Sequence, residues 1–260
     1  MFEIALYQIK RACRYRTQLC VEILDVILNF LVQYFLWNVV LKEKSLYFTN
    51  VSSMILYYFM ISTISILFRC NAADIADDFK NGRMDRELIR PIRLFEIKMA
   101  ENVFGNLFLF FCTLPILLFL VFGIFGVKMK ISLITFLLFI FSIILGYLIY
   151  YCIYFLVGLT ALLIDEVWAI RGVVTFCVNM AAGYYLPLGM FPEPVMKVLE
   201  ATPFYYIFYF PTTIIMEENG VVSKEVVTKL FVMVAWEAIL MVVSKAVFQK
   251  LVKLYSAYGG

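Results

Sequence analysis

Residues 69–98 read RCNAADIADDFKNGRMDRELIRPIRLFEIK, a stretch with seven basic and six acidic side chains set between two apolar runs. It is the only long polar segment in a chain of 260 residues that is 64% hydrophobic and 16% charged, with a mean hydropathy of +0.91. A water-soluble domain carries about 25% charged residues. Several apolar runs here also exceed the roughly 18 residues that let a helix cross a bilayer. The composition therefore defines an all-α integral membrane protein in which the other segments hold this one at a membrane surface.

Working outward, apolar runs at residues 51–68 and 103–125 flank the polar segment, and others lie at 19–41, 131–164, 173–188 and 226–248. These are six expected transmembrane helices in a single transmembrane domain over residues 1–260. The run at 131–164 contains no charge, and as one helix its 34 residues would be about 51 Å long, beyond a hydrocarbon core of about 30 Å. It is read as one tilted or over-long helix, with a bend near Gly146. Six spans put both termini on one side. With the termini inside, fifteen of the 22 basic residues fall on that side, so the positive-inside rule makes residues 69–98 and both termini cytoplasmic.

Two further segments have distinct patterns. In residues 1–18, Phe2, Leu6, Ile9 and Cys13 recur at helical spacing, with Lys10, Arg11, Arg14 and Arg16 elsewhere. This suits an N-terminal interfacial helix with a basic side toward anionic headgroups; an ordinary basic flank is the alternative. No short apolar core followed by a small-residue cleavage site occurs there, so a cleaved signal is not expected. Residues 183–218 combine Pro187, Pro192, Pro194, Pro203 and Pro211 with a dense set of aromatics. The prolines break any long helix, which predicts an outer re-entrant segment of short helices before the last span, its rings at headgroup depth. A plain aromatic anchor belt is the alternative.

Glu22 and Asp25 stand in the first two turns of the first span. A carboxylate at the bilayer centre costs about 3 kcal/mol on insertion scales. Near an interface the two are solvated or paired with arginines, and as acids within a span they are also substrate-pathway candidates, together with Phe204, Tyr205 and Tyr209. The six cysteines, Cys13, Cys20, Cys70, Cys112, Cys152 and Cys177, lie singly without ligand spacing and read as small packing residues. The net charge of +3 is carried beside spans rather than in an aromatic-interleaved patch, so nucleic acid is not an expected partner.

The chain has no histidine, which excludes Ser-His-Asp triads, HExxH zinc sites and histidine relays. It has no GxxxxGK[ST] phosphate loop and no GxSxG or SxxK motif. An enzyme alternative lies in Asn71, Asp74, Asp77 and Asp78, whose carboxylates at helical spacing suit Mg²⁺ on a diphosphate, as in intramembrane prenyltransferases. The second aspartate-rich motif of such enzymes is missing; Asp165 and Glu166 are the only other loop acids placed on that side.

The order of motifs in DDFKNGRMDRELIRPI (77–92), with Asp77, Asp78, Gly82, Arg83, Glu87, Leu88, Arg90 and Pro91, resembles the cytoplasmic segment after the second span in type-2 ABC exporter permeases. The proline and aromatic stretch LPLGMFP…LEATPFYYIFYFPTTII is similar to that family's motif before its last span, and the ending KLYSAYGG resembles its daunorubicin- and peptide-export subfamily. The resemblance runs through the chain in order. It implies a permease subunit, not itself an enzyme, that pairs with a second permease and with two cytoplasmic ATPase subunits holding the ATP and Mg²⁺. It also implies a cytoplasmic coupling helix within residues 73–90 that docks on the ATPase through Asp74, Asp77, Asp78, Phe79, Gly82, Arg83, Glu87 and Arg90. Local chemistry is compatible with this, since Asp74, Asp77 and Asp78 share a helix face and Asn81-Gly82 is a helix stop. The nearly charge-free spans suit an amphiphilic substrate, a drug, peptide or lipid-like molecule, rather than a small ion.

Overall fold

A computed structural model describes residues 6–8, 10–11, 14–43, 51–70, 94–129, 131–160, 167–216 and 223–258. Residues 71–93 lie outside this set, and with them Asn71, Asp74, Asp77, Asp78, Phe79, Gly82, Arg83, Glu87 and Arg90; so do Asp165 and Glu166. The described residues form helices and turns without strands. The principal helices are α1 (Arg16–Glu43), α2 (Val51–Leu67), α3 (Leu94–Leu118), α4 (Leu133–Leu159), α5 (Val167–Ala181), α6 (Glu193–Glu200), α7 (Tyr209–Met216) and α8 (Lys224–Tyr258).

Among the described residues, four segments are long and apolar enough to cross a membrane: Arg16–Val40, Phe95–Ile124, Leu133–Leu159 and Lys224–Leu251. The helices Val51–Leu67 and Ile170–Ala181 are apolar but shorter. Several boundaries differ from those read in the sequence. α3 begins nine residues before the apolar run because Glu96, Lys98 and Glu101 interrupt hydropathy but not helix geometry. It contains Pro115 and passes into a π-helical turn, Phe119–Ile124. α5 ends at Ala181 rather than 188, because Gly183 takes a left-handed φ of 83° that stops the helix.

α2 is largely enclosed, with eleven of its 17 residues buried. It packs against α1, α3 and α7, while α4 packs against α7 and α8. The N-terminal half of α4 exposes Leu133, Ile134, Leu137 and Ile144, whereas its C-terminal half, from Tyr147 to Leu159, is largely buried. A wholly apolar helix can do both, with lipid on one stretch and protein on the other.

The proline-rich connection consists of a 3₁₀ turn at Leu188–Met190, α6, a second 3₁₀ turn at Phe204–Tyr206, and α7. These are the short broken helices expected from the prolines. Their rings are not a belt, however: Tyr205, Tyr206, Phe208, Tyr209 and Phe210 are buried inside the bundle. Phe208 reaches Phe68 at the far end of α2, with ring centroids 5.5 Å apart. The connection therefore dips toward the middle of the bundle. Gly146 explains how it fits. α4 runs through Gly146 as an uninterrupted α-helix, and a Cβ there would stand 3.1 Å from the Tyr206 carbonyl oxygen and 3.3 Å from that of Ile207. The residue read as a bend is instead a notch for the inserted backbone.

At the N-terminus, residues 6–8 and 10–11 are helical, and the Tyr15 N–H donates to the Arg11 carbonyl (3.0 Å) just before α1. Leu6 and Tyr7 are exposed and Gln8 is buried, while Phe2, Ile9 and Cys13 of the expected interfacial helix lie outside the described residues. Of the cysteines read as packing residues, Cys70 and Cys152 are buried, Cys112 is half-buried, Cys20 and Cys177 are exposed, and Cys13 lies outside the described residues.

Candidate functional site

The described ends of the polar segment are both fastened to the bundle. At the exit, α2 ends at Leu67, leaving carbonyls without intrahelical partners. Asn106 of α3 satisfies one of these and one carbonyl just past the helix: its Nδ2 donates to the oxygens of Leu67 (3.0 Å) and Arg69 (2.6 Å). The Arg69 guanidinium reaches across to α1, 3.6 Å from Glu22 and 3.3 Å from Asp25. Asn29 Nδ2 donates to Asp25 (2.9 Å) and Gln18 Nε2 to Glu22 (2.9 Å), so both acids are oriented along their own helix. At the return, the Tyr151 hydroxyl of α4 donates to the Phe95 carbonyl (3.1 Å), and the Phe95 ring packs edge-on against Tyr151 and Phe155 at 4.9 and 5.0 Å. Three different spans therefore grip the two ends of residues 69–98.

These contacts surround an open cleft of about 660 Å³ between the N-terminal segment and the ends of α1, α2, α3, α4 and α5. Among the described residues it is lined by Arg11, Arg69, Lys98 and Arg171, by Glu22, Asp25 and Glu101, and by neutral donors such as Gln8, Asn102 and Thr175. Behind it lies a smaller cavity of about 160 Å³ that shares Asp25, Arg69 and Tyr150 and adds Asn29, Ser62, Ser65 and Asn179, with Phe208 of the inserted connection on its wall. The Arg69 ion pairs are about a third to three-fifths exposed. Pairs so hydrated contribute about 0–1 kcal/mol each and can be rearranged cheaply.

A second polar cluster ties the inserted connection to α8. Lys229 Nζ lies 3.1 Å from Glu200 and 2.8 Å from Glu225 and donates to the Tyr205 hydroxyl (3.1 Å), and it stands 5.2 Å above that ring. The Tyr206 hydroxyl donates to the Glu200 carbonyl (3.1 Å). Nearby, the hydroxyls of Tyr57 and Tyr58 donate to the carbonyls of Gly183 and Tyr185, which fixes the turn after α5 against α2.

The residues read as a substrate pathway thus fall into two groups. Glu22 and Asp25 line the cleft. Tyr205 and Tyr209 are buried in the inserted connection with ring centroids 5.3 Å apart, and Phe204 is half-buried beside them. Of the described aromatics between 204 and 210, Phe208 rather than Phe204, Tyr205 or Tyr209 lines a cavity together with Asp25. Sequence reading missed Asn106, Tyr151, Lys98, Glu101 and Arg171 as parts of one site. For Asn106 the signal was an amide in the interior of an otherwise apolar run, which calls for a buried partner.

Among the described residues, a helical bundle with membrane-length apolar segments surrounds an inserted proline-broken connection and carries a charged cleft at one end, the build of an integral membrane protein. A family model described as "ABC-2 family transporter protein" matches residues 27–259, and the chain belongs to that family: it is a membrane transport permease. No individual curated protein matches the chain.

Proposed function

We propose that this chain is the transmembrane subunit of an exporter driven by ATP that a separate ABC ATPase hydrolyses with its own Mg²⁺. The observation that carries the reading is the double fastening of residues 69–98, by Asn106 and Arg69 at one end and by Tyr151 at the other. A segment held in this way passes a push from a soluble partner directly to the helices that grip it. In this reading residues 73–90 hold the coupling helix, and Asp74, Asp77, Asp78, Phe79, Gly82, Arg83, Glu87 and Arg90 face the ATPase. The absence of a phosphate loop from the sequence and the membership in the ABC-2 family support a division of labour between permease and ATPase.

The four long apolar segments, together with α2 and α5, make six spans. With the termini cytoplasmic and the protein in the plasma membrane, the cleft opens at the inner surface and the connection at 183–218 enters from the outer one. A second permease, identical or not, completes the pathway for an amphiphilic substrate that Glu22, Asp25, Phe204, Tyr205 and Tyr209 help to line. The experiment is co-expression of the tagged chain with ATPase subunits encoded in the same genome. Recovery of an ATP-hydrolysing complex supports the proposal; a folded chain that retains none of them refutes it.

A further inference from the structure

The smaller cavity, about 160 Å³, lies where α1, α2, α4, α5 and the inserted connection meet, and its described lining divides by chemistry. One part is aromatic. The Phe68 ring centroid stands 5.6 Å from that of Tyr150 and 5.5 Å from that of Phe208, and Phe208 stands 5.6 Å from Tyr184. Another part consists of Asn29, Ser62, Ser65 and Asn179. Two of these are engaged: Asn29 Nδ2 donates to Asp25 (2.9 Å), and the Ser65 hydroxyl donates to the Ser62 carbonyl (2.9 Å). The side chains of Ser62 and Asn179 make no hydrogen bond among the described residues, although Ser62 is buried and Asn179 half-buried. Desolvated donors and acceptors without partners cost free energy, and a ligand that supplies partners removes that cost. Asp25 and Arg69 also line the cavity; they are paired at 3.3 Å and, with Tyr150, line the cleft as well, so entry is from that side.

We infer that this cavity, within a single subunit, binds a small uncharged ring that bears a hydroxyl or an amide. The ring lies against Phe68, Tyr150 and Phe208, and its polar group exchanges hydrogen bonds with Ser62 and Asn179. The size fits, since a protein cavity of about 150 Å³ takes benzene and this one holds a six-membered ring with one short substituent. Ring-on-ring contact favours a flat partner. A hydroxyl or an amide both donates and accepts, as Ser62 and Asn179 do, whereas a carboxylate only accepts and an ammonium only donates. The site stands on these side chains whether or not the chain serves an exporter; within the transport reading above, on which its role in export rests, it holds the ring-bearing end of the substrate.

The test uses the full-length chain, purified without any ATPase and reconstituted in phosphatidylcholine nanodiscs. The probe is para-fluorophenol, followed by fluorine NMR against empty nanodiscs, which report partition into lipid. A saturable protein-bound signal is expected, displaced by phenol and by benzamide. Toluene, which has the ring without the polar group, is expected to compete about tenfold more weakly. Para-fluorobenzoate and para-fluorobenzylammonium are expected to bind at least about tenfold more weakly than para-fluorophenol. Asn179→Leu, which keeps the side-chain size, should weaken para-fluorophenol by about threefold to tenfold, and Ser62→Ala by a similar factor. Circular dichroism and elution volume confirm that both variants are folded, and the toluene comparison needs no variant. A signal no greater than that of empty nanodiscs overturns the inference and leaves the cavity to water. Toluene competing as well as phenol, either charged probe binding as tightly as para-fluorophenol, or binding indifferent to both variants also overturns it. Binding as expected in a chain that recruits no ATPase leaves this site standing while the export reading fails, so the two are separable.

Discussion

Gly146 and Gly105 both sit inside long apolar helices, yet the same substitution should have opposite effects at the two positions. Replacing a helix-interior glycine by alanine gains about 1 kcal/mol of helix propensity. At Gly105 nothing opposes that gain, because the new methyl meets only the end of the Gln8 side chain at 3.8 Å. At Gly146 the methyl would press on two backbone oxygens, Tyr206 at 3.1 Å and Ile207 at 3.3 Å, and on Met233 Cε at 3.3 Å. The methionine can move, but the carbonyls belong to the buried end of a 3₁₀ turn and the residue after it, and that turn is packed against α5, α6 and α7. Overpacking of this kind costs about 1–3 kcal/mol, so Gly146→Ala should lie between neutral and about 2 kcal/mol destabilising, while Gly105→Ala should be stabilising by up to about 1 kcal/mol. Thermal unfolding of the detergent-solubilised protein, followed by reaction of buried cysteines with a fluorescent maleimide, gives the comparison. If Gly146→Ala stabilises as much as Gly105→Ala, the connection does not sit against α4, and the inserted architecture is wrong.

Asn106→Leu removes both hydrogen bonds at the exit of α2, a loss of about 1–3 kcal/mol; in a complex with its ATPase it should lower transport more than ATP hydrolysis, and equal losses in the two would argue against a positioning role. Gly183→Ala meets a left-handed backbone and the Tyr57 hydroxyl 2.8 Å from its methyl, so a drop of about 2 kcal/mol or more is expected, and unchanged unfolding would contradict the turn. Lys229→Met leaves Glu200 and Glu225 without their common cation and should cost about 1–2 kcal/mol at this partly exposed site; restoration by Lys229→Arg distinguishes charge pairing from packing, and indifference to both substitutions would dismiss the cluster as a tie.

The helical membrane class was legible because apolar runs record the solvent around a helix, and composition alone carries that signal. The broken connection was legible for a local reason as well, since its five prolines forbid a continuous helix whatever surrounds it. Where its rings point was not legible: Tyr209 and Phe210 have the composition of an interfacial belt, and only the notch at Gly146, some 60 residues earlier in the chain, turns the segment inward. Glu22 and Asp25 were recognisable as acids in need of a partner, but that partner, Arg69, lies in another element. Long-range pairings such as Asn106 with Arg69 and Tyr151 with Phe95 leave no periodic trace in sequence. The Mg²⁺-binding alternative on Asn71, Asp74, Asp77 and Asp78 concerns residues outside the described set; the family match favours transport over it.

The central claim is that the charged segment is a handle for an ATPase, and the most direct measurement is retention of the ATPase by the purified permease with and without charge reversal at Asp77 and Asp78. The account predicts that the chain alone hydrolyses no ATP, that the wild-type chain co-purifies with an active ATPase, and that Asp77→Lys with Asp78→Lys releases that ATPase while the permease remains folded. An ATPase retained in full by the reversed variant would contradict it.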